Sequence, residues 1–384
     1  MNMTVPYINL GLQHRDLKKD ILGSIEKLLD NGQFILGEET KRFEKSLADL
    51  CGTKYALGVA NGTDALFLTM LALGIGKGDE VITAPNSFLA SASSIALIGA
   101  TPAFADVNED FNLDPGSVEK AISKKTKAII AVHLTGRPAP MDELMAIARK
   151  HNLQLIEDAA QAIGAQYKGR PVGSMGIAGC FSLHPLKNLS ACGDAGAITT
   201  NDEKLFHHLE IARNHGLKNR DQCQFWSYNS RLDNLQAAIL NVKMAQLSSW
   251  NTRRRSIAER YTTELKGLNL VLPADKSYEK SVYHTYIIQT PFRDELQKFL
   301  LIKGIDTKVH YPIAIHNQEA SAYLGYKPGA FPVTEKQTRT ILSLPVYPEL
   351  TDEQLTYVIA QIKEFYTQRA ETSGGSSLMG KGVS

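Results

Sequence analysis

The stretches EDAAQ (Glu157–Gln161) and FSLHPLKN (Phe181–Asn188) decide how this chain of 384 residues is interpreted. The first follows the apolar run Leu153–Ile156, so a buried strand is expected to end at Asp158. Lys187 follows 29 residues later. Each residue has an ordinary explanation, because an aspartate after a strand often caps the next helix and lysines lie mostly at the surface. A functional interpretation therefore needs further residues at matching places.

Apolar segments typical of strands alternate with helical stretches over the first half of the chain. Helices fit between the first five strand candidates, and Asp16–Leu29 has the apolar spacing of a helix. This alternation predicts an α/β fold with a mostly parallel seven-stranded sheet covered by helices. The strand candidates are Tyr55–Val59, Glu80–Thr83, Pro102–Asp106, Ala128–His133, Gln154–Asp158, Gly179–Leu183 and Ala197–Thr200.

Several polar and aromatic residues fall where these strands end. Phe88, His133, Asp158 and Ser182 all lie at or just after the carboxyl end of a candidate strand. Open parallel sheets bind their ligands at that edge. The sequence therefore predicts one site at the carboxyl edge of the sheet.

A lysine amine and a carboxylate are two groups that pyridoxal 5′-phosphate (PLP) requires of a protein. The amine forms a Schiff base with the cofactor, and the carboxylate keeps the ring nitrogen protonated so that the ring accepts electrons. Lys187 and Asp158 are placed to supply these groups from the ends of neighbouring strands.

Two further features fit the same cofactor. Asn61–Asp64 precedes the apolar helical pattern Ala65–Leu73, so Gly62 and Thr63 are expected at a helix N-terminus, which favours a phosphate. Ordinary helix capping uses the same geometry and does not compete with this interpretation. Phe88 has an aromatic face that can stack on a flat ring, although a lone phenylalanine is more often part of the core.

Together these stretches resemble the fold-type I PLP enzymes, and more closely the nucleotide-sugar aminotransferases of the DegT/StrS type. The resemblance runs from about Ile8 to about Glu364. Each stretch alone is weakly diagnostic, but seven of them in this order form a strong signal. They are GQFILG (Gly32–Gly37), NGTDAL (Asn61–Leu66), HLTG (His133–Gly136), EDAAQ (Glu157–Gln161), KNL with the following GDAG (Lys187–Gly196), NSRLD (Asn229–Asp233) and HYP (His310–Pro312).

The resemblance implies roles for the residues around the cofactor ring. Lys187 would hold PLP as a Schiff base and later move the proton between substrate and cofactor. Asp158 would bind the pyridine nitrogen, and Gln161 would hydrogen-bond the ring hydroxyl. Phe88 would stack on the ring.

The resemblance also implies how the cofactor phosphate is held. Gly62, Thr63, Ser182 and the backbone of Asp64 would surround it. Asn229 of the partner subunit would reach the same phosphate, which implies a homodimer with shared active sites.

The substrate side of the site departs from the usual family pattern. His184, His310 and Tyr311 would line the sugar pocket. His184 stands where tyrosine or phenylalanine is frequent, and Thr135 and Arg137 also replace the usual residues. These changes leave the PLP chemistry untouched, but they affect which sugar is expected.

The chain is long enough for two domains with separate cores. We predict a large PLP-binding domain over residues 1–250 and a smaller C-terminal α+β domain over residues 251–368, connected through a long helical region from Leu232 to about Lys266. Residues 369–384 are predicted to form a flexible tail. Within the small domain we expect a strand at Tyr283–Thr290, a helix at Asp294–Lys303, a strand at Asp306–Tyr311 and a closing helix at Asp352–Gln368.

Composition excludes several other classes of protein. The formal net charge is +2, without the clustered basic surface that nucleic-acid binding needs. The four cysteines lack metal-ligand spacing, so no bound metal is expected. Free thiols in a reducing compartment are expected instead. No signal pattern or apolar run of about 18 residues is present. We expect a cytoplasmic enzyme without membrane partners.

The resemblance implies an aminotransferase that moves the amino group of L-glutamate onto a keto group of a nucleotide-linked sugar, for amino-sugar, polysaccharide or antibiotic biosynthesis. Ile8–Leu10 and Gly32–Glu39 resemble the branch acting at C3 more than the branch acting at C4, so C3 is favoured. A cyclitol ketone acceptor and a PLP-dependent sugar dehydratase remain alternatives, although such dehydratases carry histidine in place of Lys187. A non-catalytic sensor of the same fold is a third alternative, disfavoured because Lys187 and Asp158 are both present.

Overall fold

A computed structural model of the protein describes residues 3–375. Its α-helices are α1 (Leu10–Arg15), α2 (Lys18–Asn31), α3 (Glu38–Cys51), α4 (Gly62–Ala72), α5 (Ala90–Leu97), α6 (Pro115–Ala121), α7 (Met141–His151), α8 (Glu203–Ala212), α9 (Asn234–Met244), α10 (Leu247–Glu264), α11 (Arg293–Ile302), α12 (Pro332–Thr340) and α13 (Asp352–Gly375). Its strands are β1 (Tyr55–Val59), β2 (Glu80–Thr83), β3 (Thr101–Phe104), β4 (Thr126–Val132), β5 (Gln154–Asp158), β6 (Gln166–Tyr167), β7 (Arg170–Pro171), β8 (Ala178–Ser182), β9 (Gly196–Thr200), β10 (Glu279–Lys280), β11 (Tyr286–Gln289) and β12 (Ile341–Leu344).

The central sheet has seven strands in the order β1-β9-β8-β5-β4-β2-β3. Adjacent strands pair in parallel, except that β9 runs antiparallel to both β8 and β1. The prediction of a mostly parallel seven-stranded sheet is confirmed, and the predicted strand ends are correct to within two residues.

Both faces of this sheet are covered, which explains why its strands are so apolar. In β1, Leu57 and Val59 pack into one hydrophobic cluster, whereas Ala56 packs into another. Successive residues of a strand point to opposite faces, so the two clusters lie on opposite sides of the sheet. A strand buried on both faces needs a nearly continuous apolar run, and Ala128–Val132 of β4 is such a run.

The direction of the strands brings the predicted site residues to one edge. β1, β2, β4, β5 and β8 all run the same way, since β9 is antiparallel to each of its two neighbours. Their carboxyl ends therefore meet at one edge. Asp158 and Ser182 end their strands there, and the segments containing Asn61 and Phe88 leave the sheet at the same edge.

A second core lies in the C-terminal part of the chain. It combines α10, α11 and α13 with the two-stranded antiparallel sheet β11–β12. Val5 also packs into this core and forms a parallel bridge with Ile305. The N-terminal segment thus contributes to the C-terminal core, and α10 spans the domain boundary predicted at residue 250. That boundary remains a prediction.

Some details of the C-terminal prediction differ from the structure. Asp306–Tyr311 was expected to be a strand, but among the described residues it pairs only as an isolated bridge between Lys308 and Ser343. The reason is that the chain then turns inward, where His310 and Tyr311 line a cavity. Helix α13 continues to Gly375, beyond the start of the predicted tail, and residues 376–384 lie outside the described range.

Over the described range, no helix combines the length and apolar character needed to cross a bilayer.

Candidate active site

A cavity of about 430 Å³ opens at the carboxyl edge of the sheet. It brings together ten of the twelve predicted site residues. These are Gly62, Thr63, Phe88, Asp158, Gln161, Ser182, His184, Lys187, His310 and Tyr311.

Two predicted residues, Asp64 and Asn229, are absent from this lining in the described part of the chain. Asp64 lies in the first turn of α4, and its backbone N–H donates a 2.8 Å hydrogen bond to Asn61 Oδ1. That N–H is therefore already engaged by the helix cap. Asn229 is exposed on the protein surface.

Lys187 lies in the loop after β8, where the protein disfavours its charged form. Burial lowers the pKa of its amine from 10.5 to about 8, although the charge of Asp158 acts in the opposite direction. An amine with an ordinary pKa would be almost fully protonated at neutral pH and therefore not nucleophilic. The cavity thus prepares Lys187 for covalent chemistry.

Asp158 is nearly buried at the end of β5 and is held from two sides. Its Oδ2 accepts a 2.7 Å hydrogen bond from Ser91 Oγ, and its Oδ1 accepts one of 3.2 Å from the backbone N–H of Ala160. Because Asp158 also lines the cavity, its carboxylate is available to a cationic ring nitrogen.

The orientation of the Gln161 side-chain amide is fixed by its surroundings. The backbone N–H of Thr135 donates a 2.8 Å hydrogen bond to Gln161 Oε1. A backbone N–H can only donate, so the oxygen must face Thr135. The amide nitrogen of Gln161, which carries two N–H groups, is then left to donate to the phenol oxygen of Tyr311 and to a ligand oxygen in the cavity.

The N-terminus of α4 offers a site for the cofactor phosphate. Asn61 caps this helix, and the first N–H groups of a helix have no partner within it. Those of Gly62 and Thr63 can therefore bind an anion at the positive end of the helix dipole. The backbone here is tightly packed, since a Cβ atom on Gly62 would lie 2.7 Å from Ser182 Cβ. Glycine is thus required at this position.

Two aromatic side chains form one wall of the cavity. The rings of Phe88 and Tyr311 are 5.8 Å apart between centroids, with an interplanar angle of 45°. Phe88 remains 53% exposed despite its apolar character. An aromatic face left open inside a cavity is suited to stacking on a flat ligand ring.

Two histidines of the site, His284 and His310, are kept neutral near neutral pH. Burial, together with the positive charges of Lys187 and Lys308, lowers the pKa of His310 to about 4. Burial also lowers the pKa of His284, with further contributions from the charge of Lys187 and from other neighbouring cationic groups. His284 lines the cavity and contacts Asn188 Oδ1 at 3.2 Å through its Nδ1.

Sequence reasoning missed His284, Ser91 and Asp194, all of which line the cavity. His284 lies just before β11 in the other core, far from the motif residues in the chain. Ser91 looks like an ordinary residue of α5. The sequence offered no clear signal for Ser91, because its partner Ser87 lies in the loop before α5 and not on the helix.

A larger cavity of about 580 Å³ lies beside the site, around Arg137. Arg137 forms an ion pair there with Glu279 at 2.7 Å, and Thr135 is part of the lining. Thr135 and Arg137 were expected near the substrate side, but in the described structure neither lines the cavity that contains Lys187. We assign the chemistry to the smaller cavity because it holds the lysine, the carboxylate and the helix N-terminus.

The residues of this smaller cavity fit PLP on each count. They provide an amine of lowered pKa, a buried carboxylate, a helix N-terminus and an open aromatic face. Among the described residues, no group of three or more histidine, cysteine or acidic side chains is arranged to hold a metal ion.

A mostly parallel seven-stranded sheet with a lysine and a carboxylate at its carboxyl edge defines a PLP-dependent enzyme of fold type I. The sequence profile of the DegT/DnrJ/EryC1/StrS aminotransferase family matches residues 15–363, and the chain belongs to this family. The enzyme is accordingly a PLP-dependent aminotransferase.

Individual relatives cover almost the whole chain. The "pleiotropic regulatory protein" of Geobacillus stearothermophilus is 45% identical over 368 residues, which cover 95% of this chain and 99% of that protein. The UDP-N-acetyl-3-dehydro-alpha-D-glucosamine 3-aminotransferase of Acidithiobacillus ferrooxidans is 42% identical over 363 residues, which cover 94% of this chain and 98% of that protein. The crystal structure of DesV from S. venezuelae with a ketimine intermediate has a TM-score of 0.93 and 40% identity, and covers 94% of this chain and 98% of that one.

Proposed function

We propose that this enzyme transfers the amino group of L-glutamate to the C3 keto group of a nucleotide-linked hexose, giving 2-oxoglutarate and an amino sugar. The observation that carries the proposal is the Lys187 amine, whose pKa burial lowers to about 8, in one cavity with the buried carboxylate of Asp158. When bound, PLP supplies the electron sink that lets a substrate carbon exchange a proton and an amino group.

Lys187 both anchors the cofactor and moves the proton. A general acid–base group works best when its pKa lies near the working pH. With a pKa of about 8, the amine of Lys187 can take a proton from the substrate carbon of glutamate and return one to the sugar carbon. Its neighbours His284 and His310 stay neutral, so they do not compete as acids near neutral pH.

Asp158 and Gln161 act on the ring of the cofactor. The Asp158 carboxylate would face the ring nitrogen and stabilise its protonated form, which matters most when negative charge develops during the reaction. The amide nitrogen of Gln161, which faces away from Thr135, would donate to the ring hydroxyl. Phe88 would stack on the ring with its open face.

The N-terminus of α4 would hold the phosphate. The backbone N–H groups of Gly62 and Thr63 would donate to it, with the hydroxyl groups of Thr63 and Ser182 beside them. The backbone of Asp64 contributes through the helix dipole, since its N–H is held by Asn61 Oδ1.

The sugar is held on the side of His184, His310 and Tyr311. His310 Nδ1 contacts Ser343 Oγ at 2.9 Å, which fixes the ring and leaves Nε2 toward the cavity. Burial and the charge of Asp158 raise the pKa of Tyr311, so its phenol stays protonated and can donate to a sugar oxygen. These side chains hold the acceptor carbon within reach of the transferred nitrogen.

Attack at C3 is supported by similarity at the level of sequence. The Acidithiobacillus ferrooxidans relative is named for a 3-keto substrate and a 3-amino product. The segments Ile8–Leu10 and Gly32–Glu39 also resemble the branch of the family that acts at C3.

The active unit that we propose is a homodimer with shared sites. Trp226 is 94% exposed and Tyr228 is 53% exposed, in the same loop as Asn229. Large exposed aromatic residues are typical of surfaces that bind a partner. The loop places Asn229 on the outside of its own subunit, from which it can reach the phosphate of the partner's site.

The cytoplasm is the compartment that we propose. All four cysteines, Cys51, Cys180, Cys192 and Cys223, are free thiols. Unpaired cysteines are typical of reducing compartments. Nucleotide-linked sugars for amino-sugar biosynthesis would be the substrates there.

The test is a panel of 3-keto and 4-keto nucleotide sugars offered with L-glutamate to the PLP-loaded enzyme. We expect turnover of 3-keto acceptors, with NMR of the product showing the new amine on C3. An amine on C4, or turnover of 4-keto acceptors alone, would contradict the assignment to C3. A cyclitol ketone in the same panel tests the alternative acceptor class.

A further inference from the structure

A chain of two buried serine hydroxyls ends on the carboxylate of Asp158. Ser87 Oγ and Ser91 Oγ are 2.8 Å apart, and Ser91 Oγ lies 2.7 Å from Asp158 Oδ2. Ser87 is 4% exposed and Ser91 is 1% exposed. Both line the cavity that contains Lys187.

The direction of this chain follows from the donors and acceptors available. An ionised carboxylate can only accept, so the Ser91 hydroxyl must donate its proton to Asp158. The oxygen of Ser91 is then free to accept, and Ser87 must be the donor to it. The three groups therefore form one polarised chain, Ser87 to Ser91 to Asp158, in which each hydrogen bond strengthens the next.

The hydrogen bonds restrict how the carboxylate can rotate. Ser91 holds Oδ2, and the backbone N–H of Ala160 holds Oδ1 from the other side at 3.2 Å. The contact from Ala160 is long for a hydrogen bond, whereas the contact from Ser91 is short and involves a charged acceptor. Ser91 is thus the stronger of the two constraints.

We propose that Ser91 is a positioning residue, whose hydroxyl, oriented by Ser87, fixes the Asp158 carboxylate against the ring nitrogen of PLP. This inference rests on the role of Asp158 in the proposed function. Helix α5 would then help to position Asp158, because α5 carries Ser91 and the loop before it carries Ser87.

Ser91→Ala removes the hydroxyl, and Ser91→Thr retains it. In Ser91→Ala the carboxylate can turn away, so the ring nitrogen is protonated less fully and the nitrogen joining lysine to cofactor becomes more basic. The pH at which the visible absorbance of the PLP-loaded protein changes should rise by about one unit, which corresponds to the loss of one hydrogen bond to a charged group. Ser91→Thr should restore the wild-type value, and Ser87→Ala should give a smaller rise.

Kinetics of the glutamate half-reaction provide the second readout. We expect Ser91→Ala to lower kcat by about tenfold, with KM for glutamate little changed, because the lost interaction matters most when charge develops. A purely structural role for Ser91 would lower the melting temperature without moving the spectroscopic midpoint.

Ser94→Ala is the matched control. Ser94 is also fully buried in α5, and among the described residues its hydroxyl has no hydrogen-bond partner. It should leave both the spectroscopic midpoint and kcat unchanged.

Asp158→Asn is measured in parallel, because it distinguishes a failure of the role given to Ser91 from a failure of the role given to Asp158. If Asp158→Asn shifts the midpoint and depresses turnover while Ser91→Ala and Ser87→Ala do neither, the role of Ser91 is overturned and that of Asp158 stands. If Asp158→Asn itself has no effect, the proposed function fails at its ring-nitrogen contact. Should Ser91→Ala not fold, Ser87→Ala carries the test, because it leaves Ser91 in place and removes only its donor.

Discussion

Glu157 and Asp158 are consecutive residues at the end of β5, yet they serve two separate hydrogen-bond networks on opposite faces of the sheet. Asp158 faces the cavity and accepts from Ser91. Glu157 is fully buried and accepts from His133 Nε2 at 3.0 Å and from the backbone N–H groups of Gly173, Met175 and Gly176 at 2.7–2.8 Å. The second network holds the loop after β7 and the ends of β4 and β5, and so supports the strand that presents Asp158.

Glu157→Gln should destabilise the protein by about 2–4 kcal/mol, because one carboxylate oxygen would become an NH₂ group facing two donors. Burial alone would raise the pKa of Glu157, but His133 and the backbone N–H groups lower it overall. The carboxylate therefore contributes stability above its ordinary pKa of 4.5, and this contribution is lost as the pH falls through the lowered value. Urea unfolding at pH 7 and in acid measures the difference, with the exposed Glu109→Gln as control. Equal unfolding midpoints for Glu157→Gln and wild type at pH 7 would refute the prediction.

Lys187→Met should make the apoenzyme more stable near neutral pH. The folded protein lowers the pKa of Lys187 from 10.5 to about 8, so the unfolded chain binds more protons between these values and stability rises with pH across that window. Below about pH 8 the cost of the buried ammonium is fully present, and removing it should stabilise the protein by up to about 3 kcal/mol. Urea unfolding of the two apoproteins from pH 7 to 10.5 should show this advantage shrinking as pH rises. A gap that stays constant with pH would argue against the lowered pKa.

Asp158→Asn should reduce turnover on the order of 100-fold, since a neutral amide cannot keep the ring nitrogen protonated. PLP binding should weaken far less, because the phosphate and ring contacts remain. Steady-state kinetics and the PLP dissociation constant, measured on the same preparation, separate the two effects. Wild-type kinetics in this variant would remove Asp158 from the mechanism.

Mixed dimers should regain activity if each site is shared. Lys187→Ala and Asn229→Ala proteins are expected to be poorly active alone, because each lacks a contact that both of its sites need. After subunit exchange, half of the dimers contain one intact site, so up to about a quarter of wild-type activity should return. Exchange is verified with differently tagged chains. Demonstrated exchange without any recovery, or an active monomer, would exclude the shared site.

The sheet could be predicted because it depends on local signals, whereas most residues of the cavity were predicted from the family resemblance. Apolar runs bounded by turns fix the strands, and strand direction alone then places Asp158 and Ser182 at one edge. His284 could not be found this way, because it enters the cavity from the other core and packing between the two cores decides its position. Tyr311 was predicted from the family resemblance alone, because its place depends on where the chain turns after Lys308. Arg137 was expected near the substrate side, but its ion pair with Glu279 holds it at the neighbouring cavity.

The central claim is that Lys187 binds PLP covalently, and identifying the lysine to which PLP is attached tests it most directly. The PLP-loaded protein is reduced with borohydride, digested and mapped by mass spectrometry. The account predicts a reduced pyridoxyl phosphate on the peptide that contains Lys187, at one per chain, and no such adduct in Lys187→Ala. A stoichiometric adduct on any other lysine, or no adduct at all, would contradict it.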